Sequence, residues 1–410
     1  MRKIYNTNLL FLLVIIFVSF GHLLFSIRTD NYFSVDDFVV LAYFKDHQLL
    51  DIFLEFLING DVFGFRKVTG YLIFGSVFKI FGTNQNIFNF LLFLLHTSNL
   101  ILLYFICLKL TKNKFGSFFV SLIYNKYYLF YYSNLHEYAV VLFSLLTILL
   151  FLVDAKKWFY LYLFTFITAL LSKETAFSLP FVLFALSWIV KTDRKKIYPM
   201  ILISLLFICY QFYTVLFGGV INVNNSYMMS FYLKDILRNF FSLIDYKLLI
   251  LFLALPIFFK KYNHILLLFV CLITVIPASL LVNRNESYYV YLPMAFLLIY
   301  LSLFLPKLSI KSFLLYLLVF YIFGGRSVLP KIARQNFPNW QKVSMGNVLK
   351  RIEEHDISDK EIYIGDIQLE RDARLMLESG TTDLFLPRNI GQKYDFIYNE
   401  IRQTVLVQNR

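Results

Sequence analysis

The sequence predicts an all-α polytopic membrane protein, and its composition supports this fold class in two ways. Of its 410 residues, 59% are apolar and only 16% are charged, whereas soluble domains carry about 25% charged residues. The apolar residues also form long blocks, and the 48 Phe and 29 Tyr suit helices that face lipid and end in interfacial aromatic belts. A soluble globular enzyme, a disordered chain and a fibrous repeat protein are therefore excluded.

The length of each apolar block identifies the predicted membrane spans, since a spanning helix needs about 20 mostly apolar residues. The first block follows Met1-Arg2-Lys3. It is too long for the apolar region of a signal peptide and lacks a small-residue cleavage site, which favours a retained helix. About eleven helices are expected in all, although those at 246–259 and 310–325 are short. The predicted spans are 8–27, 85–108, 115–133, 138–153, 158–172, 175–190, 197–217, 246–259, 263–282, 288–305 and 310–325.

Lysine and arginine residues orient these helices. Every connection predicted to lie on the same side of the membrane as the N-terminus carries at least two lysine or arginine residues, as the positive-inside rule requires of cytoplasmic loops. The net charge of +13 therefore reflects basic residues retained in the cytoplasm, and no nucleic-acid partner is expected. These connections are 109–114, 154–157, 191–196, 260–264 and 306–311.

Three longer segments, 28–84, 218–245 and the chain after 325, then lie on the non-cytoplasmic side. In the first of them, apolar and charged residues from Phe38 to Glu55 recur with helical spacing. This pattern predicts external amphipathic helices that lie along the membrane surface.

The chain divides into a membrane-embedded domain, 1–325, and a tail, 326–410, that is soluble in character. In the tail, residues 360–365 are predicted to form a short strand and 370–378 a helix that ends before Gly380. A small α/β domain on the non-cytoplasmic side is therefore expected.

The first external segment opens with two adjacent carboxylates, Asp36 and Asp37. A carboxylate just outside a membrane helix can serve as a general base at the lipid surface. Alternatively, Ser34 and Asp37 have the spacing of a capping box that begins the amphipathic helix. The two roles are compatible because adjacent helical residues do not share a face, so that one Asp can cap while its neighbour reacts.

Arg66 and His96 are the next polar candidates along the chain. Arg66 suits a phosphate at headgroup depth, because guanidinium forms forked charge-assisted bonds with phosphate. The alternative role for Arg66 is an anchor to lipid headgroups. His96 lies within a span, where no second His or carboxylate has metal spacing, so we expect it to form a polar contact between helices.

The hairpin between the spans 158–172 and 175–190 carries a charged pair, Lys173 and Glu174. Ionisable residues at the edge of a helical bundle are costly and often functional. The alternative is a snorkelling lysine paired with the neighbouring glutamate. The topology places this hairpin on the same side of the membrane as Asp36.

A second external junction, from Val282 to Pro293, combines a cation with phenol groups. Arg284 precedes several tyrosines, including Tyr288 and Tyr291. Such a set suits a binding site at the membrane edge, while an interfacial aromatic belt explains the tyrosines equally well.

Taken in chain order, these segments resemble the membrane-embedded GT-C glycosyltransferases, over roughly residues 8–325. The resemblance is to the protein O-mannosyltransferase and tetratricopeptide-repeat O-mannosyltransferase branch and its bacterial relatives, although no such repeat follows the last span. Two departures are clear: Lys67 stands where that branch has a proline, and Ser287 where it has an arginine. The matching positions are Asp36-Asp37, Arg66, Phe81-Gly82, Asn89, His96, Ser172-Lys173-Glu174 through Pro180, and, in part, Glu286-Ser287-Tyr288-Tyr289-Val290-Tyr291-Leu292-Pro293.

The resemblance implies transfer of a sugar from a polyprenyl-phosphate-linked donor to a protein, glycan or lipid acceptor. The reaction would take place on the non-cytoplasmic side of the plasma or inner membrane, usually with inversion. Since phosphate leaves as an anion, no protonated acid is needed at the leaving oxygen, unlike in glycoside hydrolysis. The implied catalytic residues are Asp36 and Asp37, and the implied donor-binding residues are Arg66, Lys173, Glu174, Arg284, Tyr288 and Tyr291.

No cofactor is indicated, although a divalent metal stays an open alternative. All three cysteines lie in apolar blocks, which argues against disulfides and a cysteine metal site, and no glycine-rich phosphate loop indicates a nucleotide sugar. Other functions remain open: an oligosaccharide polymerase or ligase, a transporter or flippase of lipid-linked sugars, or an assembly role with the tail as a binding module.

Overall fold

The structure, a computed structural model, shows a helical membrane protein. It describes residues 2–28, 35–51, 53–54, 68–127, 129, 132–154, 157–217, 232–244, 246–279, 287–305, 361–363, 394–399 and 404–409. Within these ranges, three helices are long and apolar enough to cross a membrane: Asn8–Ile27, Gln85–Thr111 and Leu135–Val153. The predicted span at 310–325 lies outside the described residues, and the number of spans stays a prediction.

The described α-helices are numbered here in chain order. They are α1 (Arg2–Arg28), α2 (Val35–Asp46), α3 (Val68–Phe81), α4 (Gln85–Thr111), α5 (Lys114–Tyr124), α6 (Leu135–Asp154), α7 (Phe159–Ser172), α8 (Leu179–Val190), α9 (Tyr198–Phe217), α10 (Leu233–Leu243), α11 (Tyr246–Phe258), α12 (Ile265–Ile273), α13 (Ile276–Ser279) and α14 (Tyr291–Ser302).

Several predicted spans are shorter or broken in the structure, for local reasons. The predicted span 263–282 divides into α12 and α13 because Pro277 lacks an N–H and its ring would clash with the carbonyl four residues earlier, at Ile273, where α12 ends. The predicted span 115–133 leaves the α-helical conformation after Tyr124 and continues as a 3₁₀ turn. Helices α4 and α5 each begin with an asparagine side chain that accepts a backbone N–H.

Helix α14 is the centre of the bundle. All of its residues except Leu301 are buried, as expected for a helix that is apolar on every side. It packs on α4, α5, α6 and α12. Helix α1 runs antiparallel to α4: Asn8 accepts a hydrogen bond from Tyr104 at 3.1 Å, and Ser19 lies 2.8 Å from Thr97.

Two of the predicted cytoplasmic connections meet at the C-terminal end of α14. The Asn113 side chain donates to the Leu305 carbonyl at 3.5 Å, and the Lys261 ammonium donates to the Leu303 carbonyl at 2.8 Å. The connections 109–114 and 260–264, both predicted to be cytoplasmic, therefore lie at the same end of α14, and the connection 306–311 lies outside the described residues.

Many tyrosines lie in the core of the bundle and not in an interfacial belt. Seven are less than 2% exposed, and the hydroxyls of six of them bond another part of the chain, whereas the Tyr162 hydroxyl has no hydrogen-bond partner among the described residues. Tyr138, for example, bonds both backbone groups of Leu129 at 2.7 Å, and Tyr300 donates to the Phe252 carbonyl at 2.8 Å. Buried phenol hydroxyls usually find such partners. The seven are Tyr104, Tyr124, Tyr132, Tyr138, Tyr162, Tyr291 and Tyr300.

Among its described residues, the segment 28–84, predicted to be external, contains helices α2 and α3, but the apolar face of α2 is covered by protein and not by lipid alone. Leu41 and Phe44 are fully buried, and the Phe44 ring lies against Gly75 of α3. Farther along, Leu50 is 64% exposed, which leaves an apolar surface available to the membrane interface. The predicted surface position is thus wrong for the core-facing residues of α2.

Close backbone contact between α3 and α6 depends on Gly70. A methyl group at this position would lie 2.5 Å from the His136 Cβ and 2.7 Å from its Cα. We expect Gly70→Ala to destabilise the protein by about 1–3 kcal/mol, the usual cost of overpacking, measured as a lower Tm in detergent. Gly21→Ala is the control, because no atom of the described chain lies within 4 Å of a methyl there. Equal Tm values for the two variants would contradict the contact.

Three short strands are described in the tail. They are β1 (Glu361–Tyr363), β2 (Tyr394–Asn399) and β3 (Thr404–Asn409), and they form an antiparallel sheet in the order β1-β3-β2. Strand β1 lies within the strand predicted at 360–365. The helix predicted at 370–378 lies outside the described residues.

Candidate functional site

A buried ion pair lies where α6 begins and α7 ends. The Lys173 ammonium donates to the Glu137 carboxylate, and both side chains are only 2% exposed. Helix α7 ends at Ser172, because the backbone of Lys173 turns to an extended conformation and starts the 3₁₀ turn Glu174–Ser178. Burying two charges is costly unless they compensate each other, so this pair constrains the geometry of both helices.

Two further side chains enclose the pair. The Tyr289 ring centroid lies 4.7 Å from the Lys173 Nζ, a cation–π contact, and the His136 Nε2 lies 3.3 Å from the Glu137 Oε1. Tyr289 belongs to the 3₁₀ turn Ser287–Val290, which leads directly into α14. Four stretches that are distant in sequence therefore meet at one point. They are the start of α6, the end of α7, the turn Ser287–Val290, and the start of α3, which lies beside His136.

A buried hydroxyl lies in the same turn as Lys173. Thr175 is 5% exposed, and its Oγ1 has no hydrogen-bond partner among the residues that the structure describes. An unsatisfied buried hydroxyl costs about 1–3 kcal/mol. Such a group is well suited to bind an oxygen of an incoming ligand.

The interpretation that pairs Lys173 with its neighbour Glu174 is wrong. Glu174 is exposed, whereas Lys173 turns inward to Glu137, a residue 36 positions away. Consecutive residues at the end of a helix point in different directions. The extended backbone of Lys173 separates the two side chains further.

Next to the ion pair, a layer of uncharged polar side chains crosses the interior of the bundle. His96 Nδ1 lies 2.9 Å from the Tyr291 hydroxyl, and His96 Nε2 lies 3.3 Å from the Asn125 Oδ1. The Asn99 side chain donates to the Tyr138 carbonyl at 3.2 Å, and His22 Nε2 lies 3.0 Å from the Asn125 carbonyl. The predicted role of His96 as a polar contact between helices is confirmed.

His96 is expected to be a larger stability determinant than the hydroxyl it contacts. His96→Phe removes both contacts and leaves Asn125 and Tyr291 buried without this partner, so we expect a loss of about 1–3 kcal/mol. Tyr291→Phe removes one hydroxyl and should cost about 0.5–1.5 kcal/mol. Denaturant unfolding in detergent micelles measures both. A smaller loss for His96→Phe than for Tyr291→Phe would contradict the central position of His96.

The predicted site residues lie in different environments. Asp36 and Asp37 are in the first turn of α2, where the helix dipole favours carboxylates, and the predicted capping residue Ser34 lies outside the described residues. Helix α2 packs on α3 and on the 3₁₀ turn Tyr132–Asn134, which precedes α6. Tyr288 lies in the turn with Tyr289, and Tyr291 is fully buried. Arg66 and Arg284 lie outside the described residues.

Glu137 and Tyr289 were not among the predicted site residues. The signal for Glu137 was present in the sequence: it is an acidic residue next to a histidine at the start of a long apolar block, a costly position for a charge. Tyr289 was part of a predicted junction, but its sequence position does not distinguish it from its neighbours Tyr288 and Tyr291.

Within the described ranges, no group of three or more His, Cys, Asp or Glu side chains is placed to hold a metal ion. The groups that meet at the site are a lysine, a glutamate, a tyrosine ring and a histidine, and the charges of the lysine and the glutamate compensate each other. No protein-family model, curated protein or solved structure matches the chain.

Proposed function

We propose that the chain is a GT-C-type glycosyltransferase that uses a polyprenyl-phosphate-linked sugar. One observation carries the proposal: segments singled out by the resemblance, although far apart in sequence, adjoin at one end of the bundle. Lys173 contacts Tyr289 of the second external junction, and α2, which begins with the acidic pair, packs on the turn before Glu137. A cation and carboxylates beside apolar helices are the groups that transfer from a lipid phosphate requires.

The chemistry is a single displacement with inversion. The acceptor oxygen forms a bond to the anomeric carbon while the bond from that carbon to the phosphate oxygen breaks. The electron pair leaves with the polyprenyl phosphate, and the proton of the acceptor passes to Asp36, with Asp37 as its supporting or capping neighbour. Lys173 stabilises the charge that grows on the phosphate, together with Arg66 and, more weakly, Arg284.

A transport function has one observation in its favour. Polar side chains within spanning helices, such as His22, His96 and Asn99, are typical of substrate paths in transporters. A flippase moves the lipid-linked sugar without consuming it, whereas a transferase releases free polyprenyl phosphate. Product analysis therefore separates the two functions.

The direct test uses the full chain in proteoliposomes loaded with a radiolabelled polyprenyl-phosphate sugar and candidate acceptors. We expect label to leave the lipid fraction and enter the acceptor with release of polyprenyl phosphate, and we expect an Asp36→Asn/Asp37→Asn double variant to abolish transfer. Movement of intact donor between leaflets, with no release of polyprenyl phosphate, would refute glycosyl transfer and favour a flippase.

The proposed active side of the membrane can be tested at the C-terminus. Eleven spans and a cytoplasmic N-terminus predict that Arg410 is non-cytoplasmic. A glycosylation site or a reporter enzyme fused after Arg410 should report the external side. A cytoplasmic signal would show that the number of spans is wrong and would remove the basis for placing Lys173 and Asp36 on one external face.

A further inference from the structure

The ammonium of Lys173 is already fully enclosed by groups of the chain itself. Its side chain is 2% exposed, Glu137 accepts its hydrogen bond, and the Tyr289 ring covers it at 4.7 Å. A carboxylate therefore occupies a place beside the ammonium that a carrier phosphate would need. A cation compensated in this way attracts an external anion weakly, because the net charge of the pair is zero.

Glu137 has a second neighbouring polar group, His136, in addition to Lys173. The His136 Nε2 lies 3.3 Å from the same carboxylate oxygen, Oε1, that the lysine contacts. At this ion-pair distance a polar neighbour stays beside the carboxylate when the Lys173–Glu137 bond breaks. This matters because an uncompensated buried charge is strongly destabilising.

We infer that Glu137 is an exchangeable counter-ion, which holds Lys173 in the empty protein and gives it up to the phosphate of the lipid donor. The inference rests on the proposed function and adds the regulation of its phosphate site. On binding, the ammonium–carboxylate contact is replaced by an ammonium–phosphate contact, and Glu137 keeps His136. The turn Ser287–Val290 has to move with Tyr289, since its ring covers the ammonium.

This exchange makes the site selective for charge. A phosphate headgroup supplies the charge-assisted bonds that replace those of a carboxylate, whereas the hydroxyl of a polyprenol does not. Membrane lipids without an accessible phosphate would leave the pair closed. The isoprenoid chain by itself is not expected to open the site.

The test compares binding of polyprenyl phosphate and of uncharged polyprenol to the full chain in nanodiscs. Glu137→Gln removes the competing charge and keeps the shape of the side chain, so we expect at least tenfold tighter binding of polyprenyl phosphate and no change for polyprenol. Glu137→Asp, which shortens the carboxylate, should shift binding in the same direction by a smaller factor. Lys173→Met should weaken binding of polyprenyl phosphate at least tenfold.

Thermal unfolding extends the test to variants of low stability. If the Tm of Glu137→Gln is lower than that of the wild type, polyprenyl phosphate should raise the Tm of the variant by more than it raises the Tm of the wild type, because the ligand supplies the missing counter-ion. Equal or weaker binding by Glu137→Gln, with an equal or smaller thermal shift, would overturn the exchange. In that case, weaker binding of polyprenyl phosphate by Lys173→Met would still support phosphate binding by Lys173. Unchanged binding by Lys173→Met would contradict phosphate binding by Lys173 in addition to the exchange.

Discussion

Asp36→Asn is expected to lower the turnover of glycosyl transfer by about 10²–10⁴-fold, the usual contribution of a positioned general base, with expression and folding unchanged. Asparagine keeps the size and hydrogen-bonding capacity of the side chain but cannot take up the proton of the acceptor. The measurement is label transfer from the polyprenyl-phosphate sugar under saturating donor, with Tm as the measure of folding.

Asp37→Asn is the matched control for this prediction. Both residues lie in the first turn of α2, where a carboxylate contributes about 0.3–1 kcal/mol through the helix dipole. Adjacent helical residues point about 100° apart, so only one of them is expected to face the acceptor. Turnover close to that of the wild type in Asp36→Asn would refute its role as the base, and a large loss confined to Asp37→Asn would transfer the role to its neighbour.

Lys173→Met is expected to produce the largest loss of stability among single substitutions at the site. It leaves the Glu137 carboxylate buried with His136 as its remaining ion-pair neighbour, and breaking a buried pair by removing one partner costs about 3–5 kcal/mol. Removing both charges in Lys173→Met/Glu137→Gln should recover most of this loss, because no uncompensated charge is then left. Denaturant unfolding of the two single variants and the double variant gives the coupling free energy.

Glu174→Gln distinguishes the two possible partners of Lys173. Because Glu174 is exposed, its substitution should change stability by no more than about 0.5 kcal/mol, as at other surface positions. A coupling free energy near zero between Lys173 and Glu137, or a loss in Glu174→Gln as large as that in Glu137→Gln, would contradict the observed pair.

The amino-acid pattern alone determined the helical membrane class. Long apolar blocks exceed what a soluble domain can bury, and three of them are helices of spanning length in the structure. The polar contact of His96 and the strand at 361–363 were also predicted from local sequence. These features depend on properties that each residue carries with it: hydropathy, the capacity to hydrogen-bond, and strand or helix propensity.

Only the tertiary structure determined which buried side chains pair with each other. Lys173 is adjacent to Glu174 in sequence but pairs with Glu137, because the extended backbone at the end of α7 turns its side chain inward. Tyrosines that suit a membrane interface instead lie in the core, where their hydroxyls bond distant helices. Hydropathy gives the depth of a residue in the membrane, but the rotation of a helix about its axis and its choice of neighbours are set by packing between helices. The pairing of buried charges is therefore decided only when the bundle assembles.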